Sequence, residues 1–209
     1  MPLSKPVARK PLHHRIIDCR GYERADGLFD IEGRLTDTKD YGFDTVLRGR
    51  LEAGDYIHDM WLRLTLDETF KIHHIEAVSD AHPYPNCSDI LPNYEELIGL
   101  RITSGFTNKA QAIVGREKGC THHTGLLRDL ATVAFQAMGP ILAKRMRKAN
   151  EASAEIKAFE IGQSKHKAEK KDLFNGRKPP MIDGCHALKS DNPNVKQFFP
   201  EWYTGPEEE

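Results

Sequence analysis

A chain of 209 residues is long enough to bury a substantial core and has the size of one domain, two at most. Its formal net charge of −1 offers no overall electrostatic footprint for nucleic acid or an anionic membrane. No stretch reads as the roughly 20 apolar residues of a bilayer span, and Met1-Pro2-Leu3-Ser4-Lys5-Pro6 lacks the apolar run of a secretory signal, so the expected setting is the cytoplasm.

In chain order, residues 1–15 mix prolines, basic residues and His13-His14 without an apolar period, and are expected to form an arm. Strand and turn texture follows. Leu28 to Asp37 alternates apolar and polar residues, as a half-buried strand does, and Tyr41-Gly42-Phe43 breaks the pattern. Glu52-Ala53-Gly54-Asp55 is a turn signal leading into a second strand over 56–66. On the period of two, His58, Met60, Leu62, Leu64 and Leu66 share one face, and Asp59, Trp61, Arg63 and Thr65 the other. Asp67-Glu68-Thr69 turns the chain into a returning strand to Asp80, which makes a hairpin.

After His82-Pro83-Tyr84-Pro85 the texture becomes helical. Pro92 to Gly99 reads as a short helix capped by Asn93 and stopped by Gly99. A long helix starts near Thr121 or His122, with Leu127, Leu130, Ala131, Ala134, Met138 and Ile141 as one apolar stripe. Pro140 is expected to kink it or end its first section. The organisation implied is an α+β protein: an arm (1–15), an antiparallel-sheet core with one long and one short helix (16–149), a charged helix or linker (150–178) and an apolar tail packed back on the core (179–209).

Four cysteines stand far apart with no Cys-x-x-Cys pair, which argues for reduced thiols over a disulfide framework or zinc ribbon. Ten histidines are the main compositional hint of chemistry. Three sites collect several of them. Gly119-Cys120-Thr121-His122-His123 enters the long helix with Thr121 as the expected cap, where unsatisfied amides favour an anion or a thiolate. The bland alternative is a capped helix with a buried thiol. His58 points inward from a strand start, usable as an acid or base or simply a satisfied core histidine. Asp80, His82 and Tyr84 surround a strand end and could supply a carboxylate and an aromatic wall, whereas His73 and His74 read as solvated. Asp37 is a further carboxylate that also suits a turn.

A metal held by His58, His82, Cys120 and His122 is chemically reasonable but lacks any close paired-ligand spacing. No dinucleotide, phosphate-loop or nucleophile-elbow motif occurs either, which favours chemistry needing only positioned acids and bases. The basic clusters at Lys144–Lys148 and Lys165–Lys171 lack an aromatic stacking platform and read as solvated helix faces rather than a nucleic-acid surface.

The phrases Gly21-Tyr22-Glu23-Arg24, Asp26 to Lys39, Ile57 to Leu64, Glu76 to Asp80, Pro83 to Cys87, Gly99 to Ile102, Gly119 to His122 and Met181 to Leu188 resemble a bacterial family labelled domain of unknown function 2889. The resemblance spans about 16–149 and resumes in the tail. It implies no mechanism, and it has one departure: Gly125 stands where an acidic residue is expected after Thr124.

The function expected is a cofactor-independent lyase or isomerase acting on a small phenolic or carbonyl metabolite, with carbon–carbon cleavage in aromatic catabolism as one form. His58 and His122 trade protons and Asp80 orients one of them. Cys120 and Thr121 hold a developing anion, and Trp61, Tyr84, Asp37 and Arg101 contact substrate. The alternatives are a non-catalytic ligand-binding or accessory protein and a metal-dependent enzyme. Partners are expected to be a small molecule and a second copy of the chain, with neither nucleic acid nor membrane.

Overall fold

The computed structural model describes residues 3–161, 178–179 and 181–206. The chain divides at Pro140 into two compact units, 1–140 and 141–209. In the first, strands β1 (His14–Glu23), β2 (Phe29–Thr38), β5 (His58–Leu66) and β6 (Ile72–Ala81) form an antiparallel sheet in the order β1-β2-β5-β6. Between β2 and β5, the short strands β3 (Phe43–Thr45) and β4 (Gly49–Leu51) pair with each other. A 3-10 run (Pro85–Leu97) and helix α1 (Phe106–Val114) then lead to the long helix α2 (Thr121–Ile161). The protein is α+β, as the alternation in its first half and the stripe in its second require.

Alternation decides which face is dry. Phe29, Ile31 and Leu35 of β2 and Met60, Leu62, Leu64 and Leu66 of β5 are almost wholly buried. Each such side chain contributes on the order of 2 kcal/mol of hydrophobic stabilisation. Leu126, Leu127, Leu130, Ala134 and Met138 of α2 complete that core, and Tyr94, Leu97, Phe106, Ala110 and Val114 seal it. The outward face is laced by charge: Arg63 bonds Glu32 and Glu76, and Arg34 holds Asp59 by two hydrogen bonds of 2.8 and 2.7 Å.

Two glycines set how closely α2 approaches the sheet. A Cβ at Gly21 would lie 2.5 Å from Ala137 Cβ, and one at Gly33 would lie 3.0 Å from Leu130. The helix therefore rests on bare backbone of β1 and β2, with its first turn at the end of the sheet where β5 begins. Phe70 and Phe135 stack at the other end, their ring centroids 4.7 Å apart.

Several expectations need correction. The arm ends earlier than expected, because β1 begins at His14. The segment expected as a short helix is helical but of 3-10 type and starts earlier, at Pro85, with Pro92 inside it, and Asn93 is not its cap but donates from Nδ2 to Lys118 O. Gly99 does stop it, at φ +93°. Helix α2 continues through Pro140 rather than ending there. By length and composition, Thr121–Ala149 is also apolar enough to cross a membrane, although its stripe from Leu126 to Met138 is covered by the sheet.

The unit 141–209 contains the end of α2 and, after the residues outside the description, a turn at Met181–Gly184, a 3-10 turn (His186–Leu188), helix α3 (Pro193–Phe198) and a 3-10 turn (Pro200–Trp202). The Asn192 side chain caps α3 by accepting from Asn194 N, and Asp183 gathers Lys178 and Ser190. Of the expected charged segment 150–178, residues up to Ile161 continue α2, and the cluster Lys165–Lys171 lies outside the described residues.

Candidate active site

The sheet register places Arg15 opposite Asp37 and Asp37 opposite His58, so one row of inward side chains crosses β1, β2 and β5. Asp37 continues the buried parity of Phe29, Ile31, Gly33 and Leu35, and its side chain has no exposed surface. Such a charge survives only if fully partnered. Its Oδ1 accepts from His13 Nε2 and Arg15 Nε, both at 2.8 Å. Its Oδ2 accepts from Arg15 Nη2 at 2.7 Å and from His58 Nδ1 at 2.9 Å. An ionised carboxylate only accepts, so the proton of His58 sits on Nδ1 and its Nε2 lone pair is bare.

The first turn of α2 brings His122 onto this group. Its ring lies 3.9 Å from that of His58, centroid to centroid, at 35°, and its Nε2 is 3.8 Å from Asp37 Oδ2. Side-chain exposure is 14% for His58 and 22% for His122, so the pair is sheltered yet reachable. Cys120 Sγ stands 3.8 Å from His122 Nδ1 and 4.0 Å from Met60 Sδ.

Burial pushes both histidines toward their neutral forms. His58 lies below its ordinary value because burial outweighs Asp37. His122 is pushed down to about 4, chiefly by burial and then by the charges of His58 and Arg15. Burial alone would raise the Asp37 carboxyl, but hydrogen bonds from Arg15 and His13 hold it well below the usual carboxylate range. At neutral pH the group is thus two neutral imidazoles over one carboxylate neutralised by Arg15.

Tyr94 anchors the loop before the helix. Its buried hydroxyl accepts from Cys120 N at 3.0 Å and lies 2.9 Å from Cys120 O and 2.8 Å from Thr124 Oγ1, which in turn donates to Val114 O. Burial pushes this phenol up to about 12, so it remains protonated. Cys120 O also accepts from Thr124 N at 2.9 Å, which makes Cys120 the cap and exposed Thr121 the first helical residue. That corrects the expected roles: the Cys120 amide is occupied by Tyr94, and only the next amides of the turn lack intrahelical partners. His123, one residue on, is fully buried with Nε2 3.0 Å from Val78 O, and it belongs to the core.

Four expected members lie elsewhere. Asp80 is exposed beside a shallow hollow lined by Leu47, Arg48 and His82, and the carboxylate that orients His58 is Asp37 instead. Asp80 shares the exposed parity of Glu76 and Val78, which places it on the outward face of β6, away from the inward row that carries His58. Trp61 is on the outward face, 4.9 Å under Arg34, so it cannot reach the inward histidines. Tyr84 is exposed and its carbonyl accepts from His82 Nδ1 at 2.7 Å, which ties His82 to the bend after β6. Arg101 donates to Thr69 O at 3.1 Å at the β5–β6 hairpin turn, the opposite end of β5 from His58. His82 is not among the residues whose ligand atoms cluster with those of His58 and His122. Among the described residues, Asp37, His58 and His122 each offer a ligand atom within 4.8 Å of the others.

The family model described as Protein of unknown function (DUF2889) matches residues 13–136. The chain belongs to this family. The match begins at His13 and closes within α2, and so includes His13, Arg15, Asp37, His58, Cys120 and His122. No curated protein and no solved structure matches the chain.

His13 and Arg15 were missed in the sequence because they sit in a proline-rich, basic stretch. Only the long-range pairing of β1 with β2 turns them toward Asp37. For Asp37 a signal did exist, since it is two residues beyond Leu35 on the buried parity.

Proposed function

We propose that this chain is a small enzyme of the lyase or isomerase type that moves protons without a cofactor, on a small metabolite carrying a phenol or a carbonyl. The observation that supports it is the hydrogen bond of 2.9 Å from His58 Nδ1 to a carboxylate with no exposed surface. That bond fixes the tautomer, leaves Nε2 as the basic nitrogen and stabilises the imidazolium once a proton arrives.

The chemistry starts from neutral bases. His58 Nε2 takes a proton from a substrate O–H or acidic C–H. The electron pair released moves into the substrate's own sink, a carbonyl or a quinone-like ring, either shifting a double bond or breaking a carbon–carbon bond. The sink atom then recovers the proton from the imidazolium, directly or by way of His122 stacked against it. The amides of the first turn of α2, which lack intrahelical partners, are the groups that would favour the intermediate's negative charge. Arg15 keeps Asp37 ionised throughout.

Replacing His58 and His122 separately with Gln, and assaying a panel of phenolic and carbonyl metabolites, tests the reading. Turnover is expected to fall about 100-fold or more for His58→Gln, with a smaller loss for His122→Gln. Unchanged turnover in both variants, or stoichiometric binding of a ligand that is never converted, would set the protein in a non-catalytic binding role.

A further inference from the structure

We infer that Asp37, His58 and His122 also form a binding site for one divalent first-row transition-metal ion of the zinc type. The inference uses the same three residues as the proposed proton chemistry but does not depend on that chemistry. Zinc takes imidazole nitrogen at about 2.0–2.1 Å and carboxylate oxygen at about 2.0–2.2 Å, which puts neighbouring ligand atoms of a tetrahedron about 3.4 Å apart. From Asp37 Oδ2, His58 Nδ1 is 2.9 Å away and His122 Nε2 is 3.8 Å away, values on either side of that spacing. One ligand atom from each of the three residues lies within 4.8 Å of the others. Two imidazoles with one carboxylate suit zinc, iron or nickel rather than calcium or magnesium.

The surroundings supply what such a site needs. Arg15 Nε and His13 Nε2 both bond Asp37 Oδ1 at 2.8 Å, leaving Oδ2 as the inward donor and providing the outer hydrogen bonds that orient a ligating carboxylate. Arg15 Nη2, at 2.7 Å from Oδ2, would withdraw to let the ion in. Asp37 and His58 come from adjacent paired strands and His122 from the start of a helix that lies on them, so the ligands are held by rigid elements. The ion takes the place of the proton between Asp37 and His58. That proton moves to His58 Nε2, so the imidazole stays neutral and no proton is released. Because Nε2 is then protonated, the metal-bound protein loses its base, and zinc acts as an inhibitor of the proton chemistry.

Equilibrium dialysis of the chelator-treated protein against Co2+, followed by elemental analysis and visible absorption, tests this. One equivalent of Co2+ is expected, with ligand-field bands displaced by one equivalent of Zn2+. Asp37→Asn and His122→Gln are each expected to weaken binding at least 10-fold, and His122→Gln, which alters a partly exposed side chain, serves if the Asp37 variant fails to fold. Less than about a tenth of an equivalent bound to the wild-type protein, or unchanged binding in folded His122→Gln, overturns the inference. Turnover is assayed separately on the metal-free protein, so the failure of either reading is seen without the other.

Discussion

Asp37 is the residue on which the site turns. A buried carboxylate is costly unless its charge is met, and here His13, Arg15 and His58 meet it through four hydrogen bonds. Asp37→Asn would leave the Arg15 guanidinium unneutralised against the histidines and convert acceptor capacity into a misplaced donor. A loss of about 3 kcal/mol in urea denaturation is expected, and a loss under about 1 kcal/mol would mean that the carboxylate is not the hub. Its inward place was legible in the alternation from Phe29 to Leu35. The local run Thr36-Asp37-Thr38-Lys39-Asp40 obscured it, because so many short polar residues also spell a turn. Trp61 was equally legible: its parity already set it opposite His58, and a role beside that histidine's substrate conflicted with the strand period.

Among the elements, the pairing of α2 with the sheet positions the chemistry. Gly21 and Gly33 let the helix lie on the backbone of β1 and β2, and its first turn then delivers His122 to His58. At Gly21→Ala the new Cβ meets Ala137 at 2.5 Å, so helix or strand must shift. A destabilisation of about 1–3 kcal/mol is expected by thermal or chemical denaturation; a neutral or stabilising result would show that the contact yields freely. The strands β2, β5 and β6 and the helix stripe could be read from period alone because each signal is local. The role expected for Asp80 conflicted with that period, since Asp80 shares the exposed parity of Glu76 and Val78. Strand β1 could not be read this way, because its burial pattern is exposed almost throughout and carries no alternation.

For the whole molecule, the site exists only when three strands and a helix start are in place, so its protonation and the stability of the fold are linked. His122 is held at about 4 in the fold against about 6.5 in an unfolded chain. Between these values the unfolded state binds more protons, so stability rises with pH across that window and is lost as pH falls from about 6.5 to 4. His58 acts in the same direction, and Asp37, held low in the fold, adds a loss as pH falls below the ordinary carboxylate range. Denaturation midpoints measured from pH 7 to pH 4 are expected to fall steadily, and less steeply in His122→Gln. A pH-independent midpoint would contradict the linkage.

One buried carboxylate beside two neutral, stacked histidines is the arrangement on which the proton chemistry depends, and a histidine-ring NMR titration tests it without knowledge of the substrate. His58 is expected to carry its proton on Nδ1 at neutral pH, His122 to stay neutral until about pH 4, and Asp37→Asn to alter the His58 tautomer. Two histidines that titrate independently near their ordinary value of about 6.5, unchanged by Asp37→Asn, would contradict it.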